Sequence, residues 1–405
     1  MTLQTLPMLN DYTLHAPWMP RLAFTPKNSA PRGDTLVVIF LRGAADVLNI
    51  VVPHGEDAYY GLRPTLGIPR PDDSKSKLRA LDLDGFFGFH PALQNLLDAW
   101  NEKQIAIIHA CGAPDESRSH FKAMELMERG VDDAKGPASG WIGRHLATLD
   151  TGNASPLRAV GVGELPQRSL SGTMPVSALR SIADFHLNGD ERAVAQMRSA
   201  LDTLYAGGDS FSALGQDTLG ILDILQKLDP TTTPESRFPN SAFGLALQQM
   251  SMLIKADVGL EVAAIDLGGW DTHFAQGSTE GQMANLIRDL GDGLAAFHAA
   301  MRDHMDRLTV VTMSEFGRRA SENGSLGTDH GHGSMMMVLG GNVLGGRVHG
   351  EWPGLGSAQL VGPGDLAVTT DYRDVLSEVL VKRLNNPALA DIFPNYQARM
   401  VDILR

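Results

Sequence analysis

Short apolar runs recur along the chain, each bounded by polar or glycine-containing segments. The run Thr35–Leu41 (TLVVIFL) is continuous rather than alternating, which predicts a strand that is buried on both faces. Similar runs predict further strands at Gln104–Ala110, Arg158–Gly163, Glu261–Leu267, Thr309–Met313 and Ser334–Leu339.

Between several of these runs the apolar positions follow helical spacing. The predicted helices are Pro91–Glu102, His120–Arg129, Asp190–Tyr205, Phe211–Leu228, Ser241–Ala256 and Ala284–Arg307. Strands that alternate with helices of this length predict an α/β fold, with a largely parallel sheet sandwiched between helices.

The domain organisation follows from the same pattern. Residues 1–33 form an N-terminal extension, and residues 34–405 form a single α/β domain. The segment from Glu164 to about Ser241 departs from the strand–helix alternation, because it starts as a polar loop and continues as helices. We therefore expect a mostly helical insertion or cap at about 164–241.

Composition and charge narrow the class of protein. Hydrophobic residues make up 43% of the 405 residues and charged residues 20%, which is typical of a globular chain with a sizeable core. A net charge of −13 offers no counterion-release attraction to nucleic acid, so we expect neither DNA nor RNA as a partner. The one cysteine, Cys111, excludes an intramolecular disulfide and a Cys-based zinc site.

The apolar runs and the N-terminal residues give an expectation for the location of the chain. No apolar stretch approaches the roughly 18 residues that a membrane span needs, so no span is expected. Residues Met1–Arg32 do not have the basic head and apolar run of a secretory signal. We therefore expect the chain as written to be cytoplasmic, unless an export signal has been lost.

Polar clusters follow the predicted strands, where ligands bind in open parallel sheets. Carboxylates mixed with imidazoles suit zinc or manganese, and magnesium or calcium is a further possibility. A cation also removes the repulsion between gathered carboxylates. The sequence therefore predicts a divalent-metal site with candidate ligands Asp46, Asp271, His273, Glu315, Asp329, His330 and His332, the last three lying within Gly327–Gly333.

Four of the candidates have a simpler interpretation. Asp46 could cap a turn after the first strand, and Glu315 could be a surface carboxylate paired with Arg318 or Arg319. His330 and His332 could be loop histidines that bind nothing.

A hydroxyl at the start of a predicted helix is the main catalytic candidate. Ser119 precedes the helix His120–Arg129 and could simply be its N-cap. The N–H groups and positive dipole end beside it would also favour a phosphate or sulfate group. Arg42, Arg118 and Arg318 lie next to the candidate residues, and arginine binds planar oxyanions through paired hydrogen bonds.

Five motifs together resemble a known family. LRGAADVLNIVVP, ESRSHFKAMELMERG, GGWDTH, SEFGR and GTDHGHG resemble the DUF1501 family of bacterial proteins, in matching order, from about Thr35 to the C-terminus. That family is similar to the alkaline phosphatase and sulfatase superfamily. The resemblance implies a parallel sheet between helices, with two metal positions and a hydroxyl nucleophile at the sheet edge. Family members often begin with a twin-arginine export signal, which makes a periplasmic location the alternative to a cytoplasmic one.

The resemblance also implies roles for individual residues. Asp46 resembles the metal-ligating acid after the first strand, and Ser119 resembles the nucleophile, with Ser117 as the second choice. Asp271 and His273 resemble the Asp and His of one metal position. Asp329–Gly331 resembles the superfamily's Asp-His pair. That pair normally follows its strand directly, however, and in this chain Glu315 occupies the position directly after the strand. If Glu315 takes the place of the pair, His330 or His332 would be a later single ligand.

The leading functional hypothesis is hydrolysis of a phosphate or sulfate ester in a small molecule or polymer. Ser119 or Ser117 would be the nucleophile, with His120 and Arg42 as further catalytic candidates and two divalent metal sites. One alternative is a hydrolase that uses metal-bound hydroxide and no protein nucleophile. The other is a non-catalytic binding or assembly protein that retains the fold. The sequence carries no signal for the oligomeric state.

Overall fold

The computed structural model describes residues 33–163, 165–174, 176–179, 181–182, 187–227 and 237–405. The predicted extension at residues 1–33 lies outside this part of the chain except for Gly33. Within the described residues no helix is both long enough and apolar enough to cross a membrane.

The predicted strands are confirmed, and short strands that the sequence did not predict are added to them. The strands are β1 (Thr35–Leu41), β2 (Val51–Val52), β3 (Leu81–Asp82), β4 (Gly88–Phe89), β5 (Ile105–Gly112), β6 (Ala159–Val162), β7 (Ser177–Leu179), β8 (Val262–Leu267), β9 (Leu308–Met313), β10 (Arg318–Glu322), β11 (Thr328–His330), β12 (Ser334–Gly340), β13 (Arg347–His349) and β14 (Thr370–Asp371).

The main sheet is mostly parallel, as predicted. Its strand order is β13-β5-β12-β9-β1-β8-β6-β7, and β14 pairs with β5. Strand β1 is central and pairs in parallel with β8 and β9, in a register that places Leu36 opposite Val262 and Thr309. Strand β12 is the exception, because it runs antiparallel to both β5 and β9. Two small sheets, β10-β11 and β2-β4-β3, lie outside this one.

The continuous apolar run of β1 is explained by burial on both faces. All seven of its residues are buried. Val37, Ile39 and Leu41 belong to one core cluster, whereas Leu36 and Val38 belong to another, since successive side chains of a strand point to opposite faces. Helices cover both faces, which confirms the predicted sandwich.

The six predicted helices are present, most of them with different ends, and further helices that the sequence did not predict are added to them. The predicted helix Pro91–Glu102 is a 3-10 helix, Pro91–Leu96, followed by a short α-helix, and the predicted helix Ala284–Arg307 ends at Ala300 before a separate 3-10 helix, Arg302–Arg307. The α-helices are α1 (Val47–Ile50), α2 (Asp57–Leu62), α3 (Leu97–Asn101), α4 (His120–Arg129), α5 (Trp141–Thr148), α6 (Glu191–Leu204), α7 (Ser210–Lys227), α8 (Ala242–Lys255), α9 (Gln282–Ala300), α10 (Tyr372–Lys382) and α11 (Leu389–Ile392).

The predicted insertion at about 164–241 contains the helices α6 and α7 and also contributes a strand to the main sheet. Strand β7 pairs in parallel with β6 at the sheet edge, with Val160 opposite Ser177. The remaining described part includes the 3-10 helix Arg168–Leu170. The described part of this segment thus holds two α-helices and one strand of the main sheet, and its separate status as an insertion stays a prediction.

The strand directions bring the candidate motifs to one edge. Strands β1, β8 and β9 are parallel, so the segments that follow Leu41, Leu267 and Met313 leave the sheet on the same side. Because β12 runs in the opposite direction, it enters the sheet on that side, and the motif Gly327–Gly333 that precedes it lies there too. The antiparallel strand β12 thus places the histidine-rich motif at the same edge as the motifs that follow the parallel strands.

Candidate metal centre

Three imidazoles converge on one carboxylate oxygen at this edge. The Oδ1 atom of Asp271 lies 3.1 Å from Nε2 of His273, 3.2 Å from Nε2 of His330 and 3.4 Å from Nε2 of His120. The Nε2 atoms of His273 and His330 are 2.9 Å apart. Among the described residues, His120, Asp271 and His330 can each offer a ligand atom within 4.8 Å of the other two.

Each imidazole is held from behind by a hydrogen-bond acceptor on its other nitrogen. Nδ1 of His120 lies 2.7 Å from Oε1 of Glu315, and Nδ1 of His273 lies 3.3 Å from Oδ1 of Asp329. Nδ1 of His330 lies 2.8 Å from the carbonyl oxygen of Arg118. Because these partners only accept, each Nδ1 donates to its partner, and Nε2 of a neutral ring would present a lone pair to a cation at the centre.

These lone pairs need a positive charge between them. Nε2 of His120 is buried and has no hydrogen-bond partner. In the neutral imidazoles, the 2.9 Å approach between His273 and His330 would set one lone pair against another. A buried polar atom without a partner is costly, and a divalent cation bound by His120, His330 and Asp271, with His273 beside them, would remove that cost. The donor set therefore fits a metal ion.

The local charges keep Asp271 ionised. Partial burial would raise the pKa of Asp271, but the hydrogen bond and charge of Arg318 outweigh it and lower the pKa to about 2. Arg318 is fully buried, and its Nη2 atom donates to Asp271 Oδ1 at 2.6 Å. The hydrogen bond that His120 donates to Glu315 raises the pKa of His120, whereas burial lowers that of His330.

An aromatic ring forms one wall of the centre. The His120 ring stacks on Phe316 with 5.0 Å between centroids, and the His330 ring lies 5.1 Å from Phe316. Phe316 itself is buried. This apolar contact limits the rotation of both imidazoles.

Two predicted ligands, Glu315 and Asp329, contact the imidazoles of the centre through their Nδ1 atoms. Glu315 is buried, and its Oε1 atom also accepts from the backbone N–H of Gly43 at 2.8 Å. Asp329 accepts from Asn323 Nδ2 at 3.0 Å, a bond that lowers the pKa of Asp329. Both carboxylates therefore orient an imidazole, and the surface ion pair considered for Glu315 is wrong because its side chain is buried.

Asp46 lies outside the group of converging imidazoles. It is fully buried, and its Oδ2 atom accepts from Arg63 Nη1 and from Gln276 Nε2, each at 2.6 Å. Its Oδ1 atom is buried without a hydrogen-bond partner. The charge of Asp46 is thus compensated by a guanidinium, and a second metal position at this carboxylate stays a prediction.

His332 and Arg42 are directed elsewhere. Nε2 of His332 lies 3.0 Å from the carbonyl oxygen of Ala113, so this imidazole binds backbone instead of joining His330. Arg42 forms a bidentate pair with Glu128, at 3.0 and 3.1 Å, and a further ion pair with Asp266 at 2.8 Å. Its guanidinium is therefore engaged by two carboxylates, which argues against the predicted catalytic role.

The two serine candidates differ in their contacts. Ser119 is exposed and occupies the N-cap position of α4, but its side chain makes no capping hydrogen bond. Ser117 accepts from the backbone N–H of Ser119 at 3.3 Å. Ser119 directly precedes His120 in the chain.

Some residues around the centre could not be found from strand-end motifs. Arg63 lies in no motif, and Gln276 follows GGWDTH by three positions without any ligand-like pattern. The contribution of Arg118 is a backbone carbonyl, which carries no sequence signal. Only Phe316, inside SEFGR, had a signal, namely its place between two polar candidates.

The family is shown by comparison with protein-family models. The model described as "Protein of unknown function (DUF1501)" matches residues 97–380, which is more than half of the chain. The chain belongs to the DUF1501 family. The matched residues of this DUF1501 protein include all four groups of the converging centre. No curated protein matches the sequence.

Solved structures that are similar to this DUF1501 protein are distant from it. The C-terminal periplasmic domain of EcEptC from Escherichia coli has 8% identity and a TM-score of 0.35, covering 94% of this chain and 92% of that chain. The PsFucS1 sulfatase from Pseudoalteromonas sp. has 11% identity and a TM-score of 0.32, covering 78% and 64%. The alkaline phosphatase from the Antarctic bacterium TAB5 has 9% identity and a TM-score of 0.31, covering 76% and 91%. No activity follows from similarities this distant.

Proposed function

We propose that this DUF1501 protein is a metal-dependent hydrolase of phosphate or sulfate esters. The observation that carries the proposal is the convergence of three imidazole Nε2 atoms on Asp271 Oδ1, each imidazole being held by an acceptor at Nδ1. Oriented imidazoles of this kind are the arrangement that metal sites use.

The ligand set favours some ions over others. Three imidazoles and one carboxylate suit zinc or manganese, whereas magnesium and calcium prefer sites made of oxygen atoms. His120, His273, His330 and Asp271 would hold the cation. When bound, it would act as a Lewis acid and stabilise the negative charge that develops on the ester group.

Ser119 is the proposed nucleophile. Its hydroxyl is exposed and makes no capping bond, and it lies beside His120 at the start of α4. The Ser119 oxygen would form a bond to phosphorus or sulfur and lose its proton to solvent, while the ester oxygen leaves with its electron pair and takes up a proton. Water would then cleave the new bond and restore the serine.

The first experiment is a measurement of turnover and bound metal. Purified protein is assayed on aryl phosphates and aryl sulfates, before and after dialysis against chelator, with added zinc, manganese, magnesium or calcium. We expect activity that chelation abolishes and that zinc or manganese restores. The absence of turnover with every ion, in a protein whose melting temperature ignores these ions, would favour a non-catalytic protein.

Serine variants then identify the nucleophile. We expect Ser119→Ala to lower kcat by at least roughly 1000-fold, as removal of other serine nucleophiles does. Ser117→Ala is the matched control and should retain most of the activity. Activity that survives in the double variant would contradict a serine nucleophile and favour a route without one.

A further inference from the structure

A buried glutamine connects the two segments that carry the converging groups. Gln276 is fully buried, and its Oε1 atom accepts from Thr272 Oγ1 at 2.8 Å and from Thr328 Oγ1 at 2.7 Å. Its Nε2 atom donates to Asp46 Oδ2 at 2.6 Å. One amide thus joins three parts of the chain that are distant in sequence.

The positions of the two threonines give this amide its importance. Thr272 lies between Asp271 and His273, and Thr328 lies two residues before His330. Both threonine side chains are buried. The distance between these two segments determines how closely Asp271 and His273 approach His330. The amide of Gln276 fixes that distance by binding both threonines.

The Gln276 amide is held by the ion pair Arg63–Asp46, and Arg63 also contacts the hairpin that β10 and β11 form. Arg63 Nη1 donates to Asp46 Oδ2 at 2.6 Å, while Arg63 Nε donates to the carbonyl oxygen of Ala320 at 2.8 Å. Ala320 lies in β10, which pairs with β11 next to His330. The network Arg63–Asp46–Gln276 therefore closes on the same hairpin that Thr328 belongs to.

Only an amide satisfies all of these partners. Its nitrogen donates to a carboxylate while its oxygen accepts from two hydroxyls. A glutamate would set a second carboxylate against Asp46, and an apolar side chain would leave the buried hydroxyls without their acceptor.

We infer that Gln276 is a positioning residue that sets the affinity of the centre for its cation without touching it. This inference rests on the metal binding proposed above. Groups behind the ligands typically change metal affinity 10- to 100-fold when they are removed, because ligand geometry is lost.

The test compares two buried glutamines. Gln276→Met keeps the length of the side chain and removes the amide. Gln249→Met is the matched control, because Gln249 is also buried and its Oε1 atom accepts from the backbone N–H of Ile182 at 2.7 Å, away from the centre. Zinc and manganese dissociation constants are measured by equilibrium dialysis, and melting temperatures are measured in chelator.

We expect both variants to melt at lower temperature in chelator, but only Gln276→Met to bind the ion 10- to 100-fold more weakly. If Gln276→Met does not fold, Thr272→Val and Thr328→Val each remove one hydroxyl, and each should weaken binding. Wild-type affinity in folded Gln276→Met, or in both threonine variants, would overturn the inference alone. A wild-type protein that binds neither ion would overturn the proposed function, and the inference with it.

Discussion

Two histidines in one short motif have different surroundings. His330 ends β11 and directs Nε2 towards Asp271, with its Nδ1 held by the Arg118 carbonyl. His332, two residues later, contacts the Ala113 carbonyl. The sequence Gly-Thr-Asp-His-Gly-His-Gly predicted a metal role for the motif, which stays a prediction, and it contained no means of choosing between the two imidazoles.

These surroundings predict opposite outcomes for a matched pair of variants. His330→Ala removes a nitrogen of the converging set, and we expect zinc or manganese affinity to fall by at least roughly 100-fold, more than for a residue behind the ligands. His332→Ala removes a bond to backbone, and we expect metal affinity to be unchanged. Equilibrium dialysis of both proteins measures the difference. Equal losses in the two variants would contradict the assignment of His330 alone.

Asp46 shows why single residues are hard to assign from sequence. Its position after the first strand matched a ligand, but its partner is Arg63, which lies 17 residues later and belongs to no motif. Whether a buried carboxylate is neutralised by a metal or by a guanidinium depends on which side chain the fold brings to it. A strand-end pattern does not contain that information.

At the scale of elements, the hairpin β10–β11 holds the centre together through close backbone contacts. A Cβ atom on Gly327 would collide with the backbone of His273 and lie 2.6 Å from the carbonyl oxygen of Thr272. Gly327 also accepts from the backbone N–H of Asn323 at 2.8 Å. The hairpin and the segment Asp271–His273 can therefore approach only because this position has no side chain.

Two glycines of this hairpin, Gly327 and Gly324, provide a test variant and its control. Gly327→Ala should separate the two segments, destabilise the protein by about 1–3 kcal/mol as overpacking does, and weaken metal binding. Gly324→Ala places a Cβ where no heavy atom lies within 4 Å, so it should leave both properties unchanged. Urea unfolding and equilibrium dialysis measure the two effects. Unaltered metal binding in Gly327→Ala would show that the close approach is not needed.

Elements were predicted far better than their contacts. The runs that became β1, β5, β8, β9 and β12 were visible because strands buried on both faces consist mainly of apolar residues. The hairpin β10–β11 was not predicted, since its five- and three-residue strands are only partly buried and include Arg319 and Asp329. The sequence therefore indicated a loop where this hairpin forms part of the centre.

At the scale of the whole molecule, several histidines outside the centre are buried as neutral groups. Burial lowers the pKa of His90 and His109 to about 4 and that of His145 to about 3. Nε2 of His109 donates to the carbonyl oxygen of Val51 at 3.1 Å, and its Nδ1 accepts from the N–H of Ala110 at 3.0 Å. A second proton on this ring would face a donor, so the folded state resists protonation.

This arrangement sets how stability depends on pH. In the unfolded chain a histidine takes up a proton near pH 6.5, whereas folded His109 does so only near pH 4. Between these values the unfolded state binds more protons, so stability falls as the pH falls. From the two pKa values, His109 alone should cost roughly 2 kcal/mol between pH 7 and pH 5. Asp271 has a pKa of about 2 in the folded state, so its contribution to stability is lost only as the pH falls below about 3.8, the value for an unperturbed aspartate.

His109→Gln tests this dependence, because its amide can donate to Val51 and accept from Ala110 but does not titrate. We expect urea unfolding in chelator to give a fall between pH 7 and pH 5 that is smaller than the wild-type fall by roughly 2 kcal/mol. Ile107→Val, on the same buried strand, should lower stability by about 0.5–1.5 kcal/mol at both pH values and keep the full fall. Parallel pH profiles for wild type and His109→Gln would mean that the acid sensitivity comes from other groups. A smaller fall in the glutamine variant alone would show that the histidine confers acid sensitivity on a core that the sheet would otherwise keep stable.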